Sequence, residues 1–201
     1  MSGDVHVRFC ESLRVRFLRA THLVCGFGRE EDAQRFYSEL EERLRKFGLE
    51  LAAAKTRVLP FSRYRLGETS FDFLGFEFRW GTDRKTQARL KRRTARKKFR
   101  SSVERVAEWC KKHRHLRIKE QFRRLNAKLR GYYNYYGVNG NYASLNEFYH
   151  LLQRLHLKWL NRRSQCPSYT WDGYYALRQD FALKKPHIVG RPKSCLAAVR
   201  R

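Results

Sequence analysis

Seven bases stand within ten positions, at Lys91, Arg92, Arg93, Arg96, Lys97, Lys98 and Arg100. No acid lies among them to pair at i,i+4 spacing, so they are too many for one solvated helical face to balance. Neutralising the phosphates of a polyanion, with release of its counterions, is the chemistry that suits such a cluster. The cluster belongs to a longer run. Residues 84–130 hold 20 Lys or Arg against Glu104, Glu108 and Glu120, a net +17 of the chain's +26, and Arg123, Arg124, Lys128 and Arg130 close it. A second candidate follows in GYYNYYG, residues 131–137, where Tyr132, Tyr133, Tyr135 and Tyr136 crowd into five positions. Four tyrosines so spaced cannot all enter one helical core face. Some rings pack between helices, and others stand at the surface, where a phenol can stack on a base and its hydroxyl can bond phosphate.

Other chemistries find no support in the pattern. Cys10, Cys25, Cys110, Cys166 and Cys195 are scattered without a Cys-x-x-Cys pair, which argues against a structural zinc site and fits reduced, intracellular thiols. His113 and His115 form the only close histidine pair, in a basic stretch where phosphate contact is the expected role. No Gly-rich phosphate loop followed by Lys-Ser/Thr is present. The expectation is a protein without cofactor or bound metal. No apolar run approaches a membrane span and no signal-peptide core is present, so a cytoplasmic location is expected. With 201 residues, 42% of them hydrophobic, the chain can bury one ordinary core or two small ones.

The elements that must position these residues show in the apolar spacing. Residues 15–18 and 23–27 read as strands around a turn. Ala33, Phe36, Tyr37, Leu40, Leu44 and Phe47 recur every three or four residues, with Glu30, Glu31 and Asp32 before them and Gly48 after, which predicts an amphipathic helix. Residues 55–61 and 71–80 read as strands. In the second, Asp72, Leu74, Phe76, Phe78 and Trp80 form the more apolar side and are expected to face the core. Beyond the basic cluster, Phe99, Val103, Val106, Ala107 and Cys110 predict one helix, and Leu116, Ile118, Phe122, Leu125 and Leu129 a second. Ser144 and Glu147 form a capping-box pattern ahead of a third, with Leu145, Phe148, Leu152, Leu155 and Trp159 inward. A short fourth is expected over residues 171–180, adding Trp171 to the core. After Lys184 the segment with Pro186, Gly190 and Pro192 should be extended and loosely held. The fold class is therefore α+β: strands and one helix, then an all-α bundle.

The run GYYNYYGVNGNYASLNEFYHLLQRLHLKWLNRRSQ, followed by SYTWDGYYALRQDF, closely resembles the maturase-specific domain of group II intron reverse transcriptases. Upstream, GREEDAQRFYSELEERLRKFGLELAAAKTRVLPF resembles the end of the polymerase palm, and FDFLGFEF the aromatic hairpin that supports the primer end. The basic stretch from Lys91 then corresponds to the thumb. The resemblance spans most of residues 13–193 and only the C-terminal half of such an enzyme. It implies a partial palm over residues 1–83, a thumb and maturase domain over 84–184, and a basic tail over 185–201. It also marks a departure. Where the family carries Tyr-Ala-Asp-Asp, this sequence has Arg19-Ala20-Thr21-His22. Two-metal nucleotidyl transfer needs those carboxylates for its Mg²⁺ ions, so no polymerase activity, and no catalytic residue, is expected. The implied function is binding of structured RNA, group II intron RNA by family precedent, to assist its folding and splicing. Arg162, Arg163 and Trp171 join the basic residues and tyrosines already named as RNA contacts. Two alternatives follow from the same departure: an inactive remnant of a reverse transcriptase, or one subunit of a split polymerase associated with a separate fingers-palm polypeptide.

Overall fold

A computed structural model describes residues 6–10, 13–14, 23–51, 56–83, 85–166 and 168–189. The strand expected at 15–18 and the turn Arg19-Ala20-Thr21-His22 lie outside the described residues. The protein is α+β and divides into two compact units between Arg92 and Arg93.

In the first unit, β1 (His6–Cys10) is the central strand of a three-stranded sheet, with β3 (Leu23–Phe27) and β5 (Thr56–Pro60) antiparallel on either side. A second small pairing joins β2 (Leu13–Arg14) to β4 (Glu50–Leu51). The helix α1 (Glu30–Arg45) has its acids in the first turn and Arg43 and Arg45 in the last, the arrangement that complements the helix dipole. Ala33 is its buried contact. Phe47 departs from the expected face and is 73% exposed. The helix has already ended: Gly48 turns the chain at φ +67° and the Leu49 amide returns to the Leu44 carbonyl, which swings Phe47 outward.

Residues 71–80 form a hairpin, as the resemblance of FDFLGFEF implied, rather than the one strand read from the alternation. β6 (Ser70–Phe73) and β7 (Phe76–Thr82) pair through a two-residue turn, with positive φ at both Leu74 and Gly75. Such turns match the twist of the flanking strands. The turn reverses the alternation, so Phe71 and Phe73 share a face with Phe78 and Trp80 and pack with them around buried Phe61. Phe71 stacks on its cross-strand partner Phe78 at 5.2 Å between ring centroids. Asp72 is exposed on the other face, and Leu74 sits exposed in the turn.

Lys91, Arg92 and Arg93 lie on a strand, not on the helix expected of them. They belong to β8 (Ala88–Thr94), which follows β7 in the sheet after a tight turn in which Thr86 takes φ +57°. The aliphatic stem of Lys91 crosses Gly81, where a Cβ would stand 2.9 Å from its Cδ, a crowding the flexible lysine can relieve by shifting.

The second unit is built from α2 (Arg96–Lys112), α3 (Ile118–Tyr136), α4 (Tyr142–Leu160) and α5 (Trp171–Asp180). One apolar core runs through it, with Val106, Cys110, Phe122, Leu125, Leu129, Phe148 and Leu152 buried. Burial pushes the Cys110 thiol up to about 12, so it remains protonated and behaves as a small apolar side chain. The Ser144–Glu147 capping box does not form. The chain enters α4 at Tyr142, with Asn141 as N-cap. The segment beyond α5 is extended, as expected, but the part up to Val189 is held firmly. Asn126 donates to the Ala182 carbonyl and accepts from the Lys184 amide, and the Val189 amide reaches the Gly137 carbonyl at 2.6 Å. Among the described residues no helix is long and apolar enough to cross a membrane.

Candidate nucleic-acid interface

The start of α2 sets the geometry of the basic cluster. Asn141, fully buried, accepts from the Thr94 amide through Oδ1 at 2.9 Å and donates through Nδ2 to Thr94 Oγ1 and the Tyr136 carbonyl. One side chain thus ties the entry of α2 to the turn between α3 and α4. From that anchor Arg96, Lys97, Lys98 and Arg100 project as exposed residues, and among the described residues none of them is held in an ion pair. Four cations here sit at the wrong end for the helix dipole, and Ala95 supplies no capping side chain. The first-turn amides lack intrahelical partners. An anion would satisfy both conditions. A cleft of about 280 Å³ opens beside this turn, lined by Arg93, Arg96, Phe99 and Arg100 with Ser144 and Glu147 opposite.

On α3 the exposed face carries Arg123, Arg124, Lys128 and Arg130. Glu120 is shared between Arg123, at 2.7 Å, and Arg124, and these guanidiniums hold its carboxyl down at about 2. Lys128 lies over the Trp109 ring at 5.4 Å, and His113 stacks on that ring. His115 accepts from Arg114. Arg163 has a different role from its neighbour Arg162. It donates to the Arg114 and Leu116 carbonyls, the same loop that Gln121 holds through bonds to the carbonyls of His113, Arg114 and Leu116. Arg162 is exposed and rests over Trp159 at 5.4 Å.

The tyrosines separate by position. Tyr133 is fully buried, donates to the Lys184 carbonyl and meets the His187 ring edge-on. Tyr132 stacks on Phe148 at 3.9 Å between centroids, and burial raises its phenol well above the usual range. Tyr136 is half-buried, edge to face with Tyr135 at 4.7 Å, while Tyr135 is 54% exposed. Trp171, expected in the core, is 42% exposed because it opens α5 at its first turn. Arg154 and Lys158, not singled out by the sequence pattern, stand exposed on α4 near Trp171. Their i,i+4 spacing opposite the buried Phe148 and Leu152 was the signal available. Among the described residues no group of three or more His, Cys, Asp or Glu side chains could hold a metal ion.

This helical unit, with its exposed bases and outward aromatic rings, corresponds to a known domain type. The family model for "Group II intron, maturase-specific domain" matches residues 96–175, from the first residue of α2 into α5. Residues 96–175 are thus similar to that domain. No curated protein matches the chain.

Proposed function

We propose that the protein binds structured RNA of the group II intron type and stabilises its spliced-competent fold, without polymerase activity of its own. The match over residues 96–175 carries this reading, since a maturase-specific domain implies a role in group II intron splicing. The physics supports it. Exposed bases at the start of α2 and along α3 offer phosphate neutralisation, and a ligand that binds only the folded RNA draws the folding equilibrium towards it. The chemistry of cutting and joining then belongs to the RNA, and the protein contributes binding energy. The sequence Arg19-Ala20-Thr21-His22 supports the lack of polymerase activity, having no carboxylate to hold Mg²⁺.

A transcript containing a group II intron, incubated at a Mg²⁺ concentration too low for self-splicing, tests the proposal. Added protein should restore splicing in proportion to the RNA bound, and a primer–template assay in the same buffer should give no extension. Tight binding without any gain in splicing would sink the maturase assignment, and primer extension would overturn the second half.

A further inference from the structure

Between α2, α4 and the start of α5 lies a groove of about 560 Å³. Val103, Leu151 and Leu155 supply apolar surface, Trp171 forms a wall, and Arg154 and Lys158 bring positive charge to it, with no carboxylate in the lining. From this arrangement we infer that the groove is a slot for an unpaired nucleotide, the base lying against Trp171 and the apolar side chains and its phosphates held by Arg154 and Lys158. The inference rests on the RNA-binding reading above and names which part of the RNA this surface takes.

Three observations carry it. The charge is complementary to a nucleotide: a flat apolar ligand with an anionic edge fits apolar walls bearing two cations, whereas a neutral or basic peptide segment does not. Arg154 and Lys158 are exposed, and among the described residues neither is engaged by an acid, Lys158 Nζ lying over the Trp159 ring at 5.9 Å. The tryptophan is also pre-positioned. Asn161 Oδ1 accepts from the Ser168 and Tyr169 amides and its Nδ2 donates to the Tyr169 carbonyl, which fixes the strap entering α5. Thr170 Oγ1 then accepts from the Gly173 amide, and Trp171 leans edge-on against buried Tyr174 at 5.9 Å. A ring already immobilised loses little freedom on binding, so stacking on it is not offset by ordering. The slot differs in kind from the start of α2, where bases cluster without an exposed tryptophan and the ligand would be backbone phosphate alone.

The test uses the full chain and three RNAs: a blunt hairpin, the same hairpin with a four-nucleotide single-stranded tail, and one whose tail is abasic with the same number of phosphates. Wild-type protein should prefer the tail with bases over the abasic tail by about tenfold, the worth of one stacked base. Trp171→Ala should erase that preference and leave affinity for the blunt hairpin within about twofold. Trp171→Phe should keep most of the preference, and Arg154→Gln with Lys158→Gln should weaken both tailed RNAs while sparing the blunt one. A 5-iodouridine in the tail should crosslink to the peptide containing Trp171. Equal binding of base and abasic tails by wild type, or a preference that survives Trp171→Ala, overturns the slot while RNA binding stands. So does an equal loss on all three RNAs, which would mark Trp171 as merely structural. Failure of wild-type protein to bind any of the three would overturn the RNA-binding reading itself, and the slot with it.

Discussion

His156 on α4 and Gln121 on α3 meet inside the helical core, with Nε2 of the histidine 3.0 Å from Oε1 of the glutamine. The glutamine's amide nitrogen is committed to carbonyls of the 113–116 loop, so its oxygen must accept and His156 carries its proton on Nε2. Nδ1 is then left to accept from the Tyr174 hydroxyl at 3.0 Å. The neutral ring is the bridge between three helices and a loop. Burial, reinforced by Arg163, pulls its ionisation down to about 4.

That depression has a sign. An unfolded histidine takes its proton near pH 6.5 and the folded one only near 4, so the unfolded state binds more protons between the two values. The stability contribution is complete above pH 6.5 and is lost as pH falls towards 4. Urea unfolding of the wild type should lose about 2 kcal/mol between pH 7 and pH 5 from this group. His156→Leu should be less stable at pH 7, with Oε1 of Gln121 and the Tyr174 hydroxyl losing their His156 partner, yet show a shallower slope over that window. An equal slope in the variant would remove His156 as its source.

Asn141 satisfies two groups of Thr94 and one of Tyr136 from a fully buried position. Asn141→Ala strands those partners, and a stability loss of about 2–4 kcal/mol is expected from chemical denaturation. Asn141→Asp should also be costly, because Oδ2 cannot donate where Nδ2 did.

Gly137 is confined by backbone. A Cβ would lie 2.2 Å from the Tyr133 carbonyl and 2.9 Å from the His187 carbonyl, so neither neighbour can yield as a flexible side chain would. Gly137→Ala should cost about 1–3 kcal/mol and release the 182–189 strap. Faster tryptic cleavage after Lys184 reports the release, and unchanged cleavage would show that the strap does not depend on Gly137.

Adjacent arginines should part ways. Arg163→Ala removes the donors that hold the Arg114 and Leu116 carbonyls and should lower the melting temperature. Arg162→Ala, at an exposed site over Trp159, should leave stability within about 0.5 kcal/mol and reduce RNA affinity instead. Melting curves and binding isotherms of the two variants separate the roles.

How far the sequence reached depended on the range of the interactions. Helix spacing located α1 to α5 because a buried face repeats locally, and Phe122, Leu125, Phe148 and Leu152 are all buried as expected. The hairpin at Leu74-Gly75 escaped the alternation because leucine, rather than asparagine or glycine, takes the first positive φ. Lys91 to Arg93 favour helix by propensity, and only pairing beside β7 places them on β8. Trp171, Tyr174 and Tyr175 crowd both faces of a ten-residue helix, so spacing could not tell which ring is inside. Nothing local announces that Asn141 serves Thr94, or that Tyr133 reaches Lys184, since each pair lies about fifty positions apart. The basic surface itself was legible from charge alone. Its division into free cations such as Arg96 and Lys97 and structural ones such as Arg163 needed coordinates.

The central claim is that the exposed bases of the helical unit bind RNA through its phosphates, and the salt dependence of affinity measures this most directly. For a group II intron RNA, a log–log plot of the association constant against salt should fall with a slope of roughly −4 to −5 if about six phosphates are neutralised. Replacing Arg96, Lys97, Lys98 and Arg100 with alanine should flatten that slope by about 3, with the fold intact by circular dichroism. A slope unchanged by the four substitutions would contradict the account and place the binding surface elsewhere.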